Sequence, residues 1–141
     1  MLALKQLPTN AVPYIPEFMG QRELPPEEKP VVLWIKPLTV AQFDAIAAQV
    51  KYDSLSKQVI NISFQEKLYQ IISEGVIKVE NLYRDSKIDD AGNVEFMNPI
   101  NTGKDLIEFI TSLGIEYKPF LDEIVAAIQS NSVLEKGIRK N

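Results

Sequence analysis

After Pro37 the apolar residues recur every three or four positions, which is the spacing of one face of an α-helix. Four such stripes occur, and each begins at a residue that favours a helix start. Capping residues or a first-turn proline predict helices that begin near Thr39, Ser63, Thr102 and Pro119. Ser132, with Glu135 three residues later, predicts one or two further helical turns near the end of the chain.

The extent of these helices follows from where each stripe ends. The first stripe predicts a helix over residues 40–50, and Gly75 and Gly114 are typical helix-ending residues for the second and third. The fourth stripe consists of Phe120, Leu121, Ile124, Val125 and Ile128. For this stripe, a place in the core and a place in a partner-binding groove are both open.

Residues 31–35 (VVLWI) differ from these stripes, because they are rich in β-branched residues and are bounded by prolines. This pattern predicts a strand. One strand needs a partner, and two are open: residues 12–15 of the same chain, or the equivalent strand of another subunit. Residues 76–101 lose the helical periodicity, and within them residues 94–96 are consistent with a very short strand or with a loop.

The prolines are concentrated at the start of the chain, where seven of the nine lie at or before Pro37. Proline fixes φ and lacks a backbone donor, so this part predicts extended chain and turns. The predicted organisation is an extended Pro-rich arm over residues 1–30 and a mainly helical domain over residues 31–141. The predicted fold class is therefore mainly α: a small domain of about four to five helices with a short β element.

The chain of 141 residues has the size of one ordinary domain and contains neither Cys nor His. This composition excludes zinc sites built from those ligands, Cys proteases and Ser-His-Asp hydrolysis. The net charge of −4 and the pI of about 4.9 argue against a nucleic-acid partner, because neutralising phosphates requires clustered Lys and Arg. No apolar window has the length of a membrane span, so we expect a soluble intracellular protein without a membrane partner.

The candidate catalytic and metal-binding patterns have simpler structural explanations. Residues 89–93 (DDAGN) are typical of a turn, and an EF-hand calcium loop aligned on Gly92 would need a bidentate Glu where Asn98 stands. Asp122 and Glu123 lie near the start of a predicted helix, where the macrodipole favours negative charge. The glycines are too far apart for a phosphate-binding loop. We therefore expect no enzyme activity, no metal site and no cofactor.

We expect partner binding to use apolar side chains of the terminal helix and of the arm. These candidates are Phe120, Ile124, Ile128, Tyr14, Ile15 and Phe18. The only tryptophan, Trp34, is a further candidate, because Trp is enriched at binding hot spots. A place for Trp34 in the core is the other open interpretation.

Four short motifs occur in a characteristic order along nearly the whole chain. They are VPYIPEFMG at 12–20, KPLT at 36–39, DAGNVEF at 90–96, and an end in which Ile128, Ser132 and Leu134 precede a final Lys140-Asn141. This order resembles that of the small tail assembly chaperones of long-tailed bacteriophages and their prophage relatives.

The resemblance implies a non-enzymatic function. Chaperones of that family bind the long, largely helical tape measure protein, keep it soluble, and are displaced as tail-tube subunits polymerise around it. It therefore implies the tape measure protein as partner, with the tail-tube protein as a second one. It also implies a location in the host cytoplasm and absence from the mature virion. A homo-oligomer is a further possible partner arrangement that the sequence leaves open.

Two other classes of function stay open from the sequence. A structural virion component, such as a head–tail connector or tail terminator subunit, would use residues 1–30 to wrap a neighbouring subunit in a ring. An enzyme with an Asp/Glu site is the less favoured class, because no pair of carboxylates has an evident functional reason.

Overall fold

A computed structural model describes residues 11–25 and 27–132 of the chain. The strands of this part are β1 (Val12–Tyr14), β2 (Val32–Ile35), β3 (Val50–Asp53), β4 (Gln58–Asn61), β5 (Val76–Glu80), β6 (Tyr83–Ile88) and β7 (Val94–Pro99). Its α-helices are α1 (Val40–Ala47), α2 (Phe64–Gly75), α3 (Gly103–Thr111) and α4 (Lys118–Asn131). Short 3₁₀ segments lie at Phe18–Glu23 and Ile115–Tyr117.

The fold is mixed α/β, and the prediction of a mainly α fold was wrong. Of the described residues, 43% are helical and 26% lie in strands, which form three antiparallel sheets. The strands missing from the prediction are β5 and those of two hairpins, β3–β4 and β6–β7, of which only residues 94–96 of β7 were open as a short strand. Most side chains of these hairpins are exposed, so the apolar-in, polar-out alternation that identifies a strand from sequence is absent.

The predicted helix starts are confirmed. Thr39 opens α1 with a capping box, and the hydroxyls of Ser63 and Thr102 each accept a hydrogen bond from the backbone N–H three residues on, at 3.1 Å. Pro119 lies in the first turn of α4, and α2 ends at Gly75 as expected. The first helix is shorter than predicted, because the chain turns after α1 and enters β3 at Val50.

The final turns predicted after Ser132 lie outside the described residues. None of the helices within residues 11–25 and 27–132 combines the length and apolar character needed to cross a bilayer.

The three-stranded sheet has the order β1-β2-β5, and both pairings are antiparallel. β1 therefore provides the partner strand that residues 31–35 required, which confirms the first of the two alternatives. Leu33 and Ile35 point from β2 into the core and are fully buried. β1 is an edge strand, which allows Pro13 to occupy a position where a central strand would need a backbone donor.

The core lies between one face of this sheet and helices α2, α3 and α4. Its fully buried side chains include Leu33, Ile35, Ile72, Ile100, Leu106, Ile124 and Ile128. Helix α3 comes close to the junction of α2 and β5, because Gly103 has no side chain. A Cβ at Gly103 would lie 2.5 Å from the carbonyl oxygen of Val76 and 2.6 Å from that of Ile72.

The substitution Gly103→Ala should destabilise the fold by about 1–3 kcal/mol, because the added methyl group meets backbone atoms that cannot move aside. The control is Lys104→Ala at the neighbouring exposed position, which should change stability by less than about 0.5 kcal/mol. Urea unfolding followed by circular dichroism measures both. Equal stability of the two variants would show that α3 does not approach the junction this closely.

Candidate partner-binding surface

The three candidates on the terminal helix belong to the core. Phe120 is 6% exposed, and Ile124 and Ile128 are 0% exposed. They face α2 and the sheet within one chain, so their apolar stripe is a packing face. Of the two interpretations of this stripe, the place in the core is the one that the structure has. These side chains therefore form no surface for a partner.

The arm candidates lie against α4, where Glu123 holds them. The hydroxyl of Tyr14 donates to the Glu123 carboxylate at 2.6 Å, and the backbone N–H groups of Glu17 and Phe18 donate to it at 2.7 and 3.1 Å. Partial burial, followed in weight by the hydrogen bond to Glu123, raises the pKa of Tyr14 to about 12. One carboxylate thus binds three donors of the arm.

Aromatic packing adds to this attachment of the arm. The ring of Phe18 stacks on Phe120 with centroids 5.0 Å apart and contacts Tyr117 at 5.8 Å. Arg22 lies over the Tyr14 ring at 5.3 Å and donates to the carbonyl of Ile15 at 2.7 Å. Phe18 and Tyr14 are therefore committed to contacts within the chain, while Ile15 is partly exposed at 36%.

Trp34 lies on the face of the sheet opposite the core. Its neighbours across the strands are Pro13 on β1 and Lys78 on β5, and it is not one of the core residues. Lys78 forms an ion pair with Glu80 at 3.0 Å, and that contact is the main cause of the lowered pKa of Glu80. The shielded indole N–H of Trp34 lies near Glu80 but without hydrogen-bond geometry. Trp34 is accordingly a half-buried residue of the outer sheet face.

A cleft of about 810 Å³ lies between the arm and the β6–β7 hairpin. Its apolar lining consists of Leu24, Val31, Leu82, Tyr83, Val94 and Phe96. Hydrogen bonds hold one wall of the cleft in place, and ring stacking holds the other. None of the residues that sequence analysis named as candidate contacts lines this cleft.

The hairpin wall of the cleft is built around an aromatic pair. The rings of Tyr83 and Phe96 stack with centroids 5.3 Å apart. The regular alternation of the ladder is interrupted beside them, where Asn98 has a left-handed φ of 59° and donates to Asp85 at 2.8 Å. Phe96 is nevertheless 61% exposed, so one face of the pair remains available to a partner.

The arm wall is a loop closed by two hydrogen bonds. The side chain of Gln21 accepts from the backbone N–H of Val31 at 3.0 Å. Asn81, at the β5–β6 turn, donates to the carbonyl of Pro30 at 2.9 Å. The charged residues that line the cleft are of mixed sign, namely Glu27, Glu28, Lys29, Arg84 and Asp85.

Residues 89–93 form the solvated turn that the sequence predicts. The Asp89 carboxylate accepts from the backbone N–H groups of Ala91 and Asn93 at 3.0 and 2.8 Å, and Gly92 has a left-handed φ of 84°. The hydrogen bond from the Asn93 backbone is the main cause of the lowered pKa of Asp89. Within residues 11–25 and 27–132, no three acidic side chains are grouped so that they could hold a metal ion.

The feature that stands out on the surface of residues 11–25 and 27–132 is therefore a cleft with an aromatic pair. The sequence contains two signals for this cleft. One is Phe96 after a turn, and the other is the pair Leu24 and Val31 on either side of a charged, proline-rich segment. Each signal is ambiguous by itself. Comparisons with protein families, curated proteins and solved structures find no match.

The substitution Glu123→Gln should loosen the arm, because the amide keeps only one acceptor oxygen and loses the charge. Charge-assisted hydrogen bonds contribute about 1.5–3 kcal/mol each, so partial loss should raise local opening of the arm about tenfold. The measurement is amide hydrogen exchange at Glu17 and Phe18, whose N–H groups donate to Glu123.

The matched control is Asp122→Asn, which makes the same charge change at the adjacent exposed position. Exchange at the two arm amides should then stay near the wild-type rate. If both variants accelerate exchange equally, the effect comes from the net charge of α4 and the carboxylate does not bind the arm specifically.

Proposed function

We propose that this protein is a tail assembly chaperone of a long-tailed bacteriophage or prophage, and that it binds the tape measure protein through the cleft between the arm and the β6–β7 hairpin. The observation that carries the proposal is this cleft, with its stacked Tyr83–Phe96 pair, of which Phe96 is exposed. The order of the four sequence motifs resembles that of the tail assembly chaperones and supports this family. Chaperones of that family bind a long helical client.

The shape and lining of the cleft suit an amphipathic helix. A helix is recognised in a groove through apolar side chains at positions i, i+3, i+4 and i+7, which form one stripe. The Tyr83–Phe96 wall and the Leu24 wall face such a stripe from two sides. The tape measure protein is rich in helices, so many segments of one client present the same kind of stripe.

The release of the client requires moderate affinity at each site. A nanomolar site would correspond to about 12 kcal/mol, which the polymerising tail-tube subunits would have to offset. Micromolar sites repeated along one long client hold it firmly while allowing stepwise displacement. The charges lining the cleft are of both signs, so binding through its apolar walls should depend only weakly on salt.

The proposal places the protein in the host cytoplasm, where it acts before the tube closes around the client. The tail-tube protein is then the second partner, because its growth displaces the chaperone. We propose no enzymatic step and no nucleic-acid or membrane partner. A head–tail connector or tail terminator subunit is the competing function, and purified particles distinguish the two, since a connector stays with them and a chaperone does not.

Co-expression with the tape measure protein should make the client soluble and yield a complex that survives gel filtration. Phe96→Ser on one wall and Leu24→Ser on the other should each weaken the complex about tenfold or more, because truncating a hot-spot side chain costs about 2 kcal/mol. The readouts are the soluble fraction of the client and the amount of complex, with circular dichroism to verify that each variant is folded.

The matched control is Phe64→Ser, because Phe64 is a similarly exposed phenylalanine (76%, against 61% for Phe96) that does not line the cleft. It should leave the complex intact. If the client is equally soluble without this protein and no complex survives gel filtration, the chaperone function is wrong, and the structural virion component becomes the better assignment.

A further inference from the structure

Strand β4 differs from the other edge strands in the described part of the chain. Natural edge strands are protected against association by charged side chains, proline or bulges. Such residues occur on the other edge strands, as Pro13 on β1, Lys51 and Asp53 on β3, Lys78 and Glu80 on β5, Arg84, Asp85 and Lys87 on β6, and Glu95 and Pro99 on β7. β4 (QVIN) has none of them, and within the described residues only β3 pairs with it.

The hairpin that contains β4 also exposes an apolar face. Tyr52 and Val59 are directly opposite in the ladder and share one face, with Val50 beside them. All three are more than half exposed. The other face is directed towards α2, because Lys51 forms an ion pair with Glu66 there at 2.7 Å. A two-stranded hairpin is marginally stable by itself, so a third strand would stabilise it.

We propose that β4 pairs with β4 of a second copy of this chain, which joins the two hairpins into one four-stranded antiparallel sheet of order β3-β4-β4-β3. On its outer edge β4 has no ladder partner among the described residues, so its free N–H and C=O groups are available to pair with another strand. A two-fold axis perpendicular to the sheet makes the two β4 strands antiparallel and keeps the same face outward in both copies. This inference does not depend on the proposed client.

The two-fold axis restricts the register. Directly opposite residues in an antiparallel ladder point to the same face of the sheet. Because side chains alternate between faces along β4, an odd-numbered residue must lie opposite an odd-numbered one, and an even-numbered residue opposite an even-numbered one. Centring the axis on Val59 places Val59 opposite its own copy and creates an apolar row across four strands: Tyr52, Val59, Val59 and Tyr52. Centring it on Ile60 instead would place Val59 opposite Asn61 and break this row. The register centred on Val59 is therefore the one we assign.

A four-residue strand limits the strength of this dimer. Specific stable interfaces bury about 1,200–2,000 Å² in total, and a pairing of two short strands lies below that range. We expect a reversible dimer with a dissociation constant on the order of 10⁻⁴ M. Its function in client binding would be to place two clefts on one particle.

The first test measures mass against concentration by sedimentation, using the full chain without a client. Wild type should shift from monomer towards dimer as the concentration rises to about 1 mM. Val59→Lys should stay monomeric, because it places two like charges opposite each other at the centre of the edge. Ile88→Lys, an equally exposed position at the end of β6 in the other hairpin, should dimerise like wild type.

The second test uses the absence of native cysteine. In Val59→Cys the two Cα atoms should lie about 4.5–5.5 Å apart across the axis, which suits a disulfide, so mild oxidation should give a covalent dimer. In Ile60→Cys they should lie about 8 Å apart, beyond the range of a disulfide, and cross-linking should be at least tenfold slower.

Three outcomes would overturn the inference. If wild type stays monomeric at the highest concentration, β4 does not pair with a second copy. This outcome would also be seen if only a client covered β4, and it contradicts the inference in that case too. A dimer that survives Val59→Lys uses another surface. Faster cross-linking of Ile60→Cys than of Val59→Cys contradicts the assigned register.

Discussion

The contact between Ile128 and Gly75 is the constraint on which the arrangement of sheet and helices depends. A Cβ at Gly75 would lie 2.7 Å from Ile128, so only glycine lets α4 approach the end of α2 this closely. At the same point the carbonyl of Gly75 accepts from the backbone N–H of Lys36 at 2.8 Å, directly after β2. Sheet, α2 and α4 are therefore joined at one position, and the Ser132 hydroxyl extends the junction by accepting from the backbone N–H of Leu38 at 2.9 Å.

The candidate binding surface follows from this junction through α4. Because α4 is fixed against the sheet, Glu123 and Phe120 have defined positions, and these two side chains hold the arm. The arm in turn provides one wall of the cleft, while the β6–β7 hairpin provides the other. The apolar stripe of α4, for which the sequence left core and partner groove open, lies in the core and fixes the helix that positions the candidate binding surface.

The sequence predicts those features that depend on local chemistry. The caps at Thr39, Ser63 and Thr102 and the turn at residues 89–93 depend on side chains within a few residues of one another, and the structure has each of them. The hairpins and the cleft depend on pairings between exposed strands, where no buried alternation marks the strands. From the sequence, the position of Glu123 near a helix start is explained by the helix dipole alone. Its three hydrogen-bond donors in the arm lie more than 100 residues away along the chain, so no sequence pattern indicates that Glu123 holds the arm.

The most direct test of the proposed function is hydrogen–deuterium exchange of this protein with and without the tape measure protein. The proposal predicts that protection on binding is concentrated on the two walls of the cleft, in residues 21–31 and 82–96, because a bound helix would cover both. Protection confined to the β3–β4 hairpin, or no protection beyond that of the free protein, would contradict the assignment of the cleft as the client-binding surface.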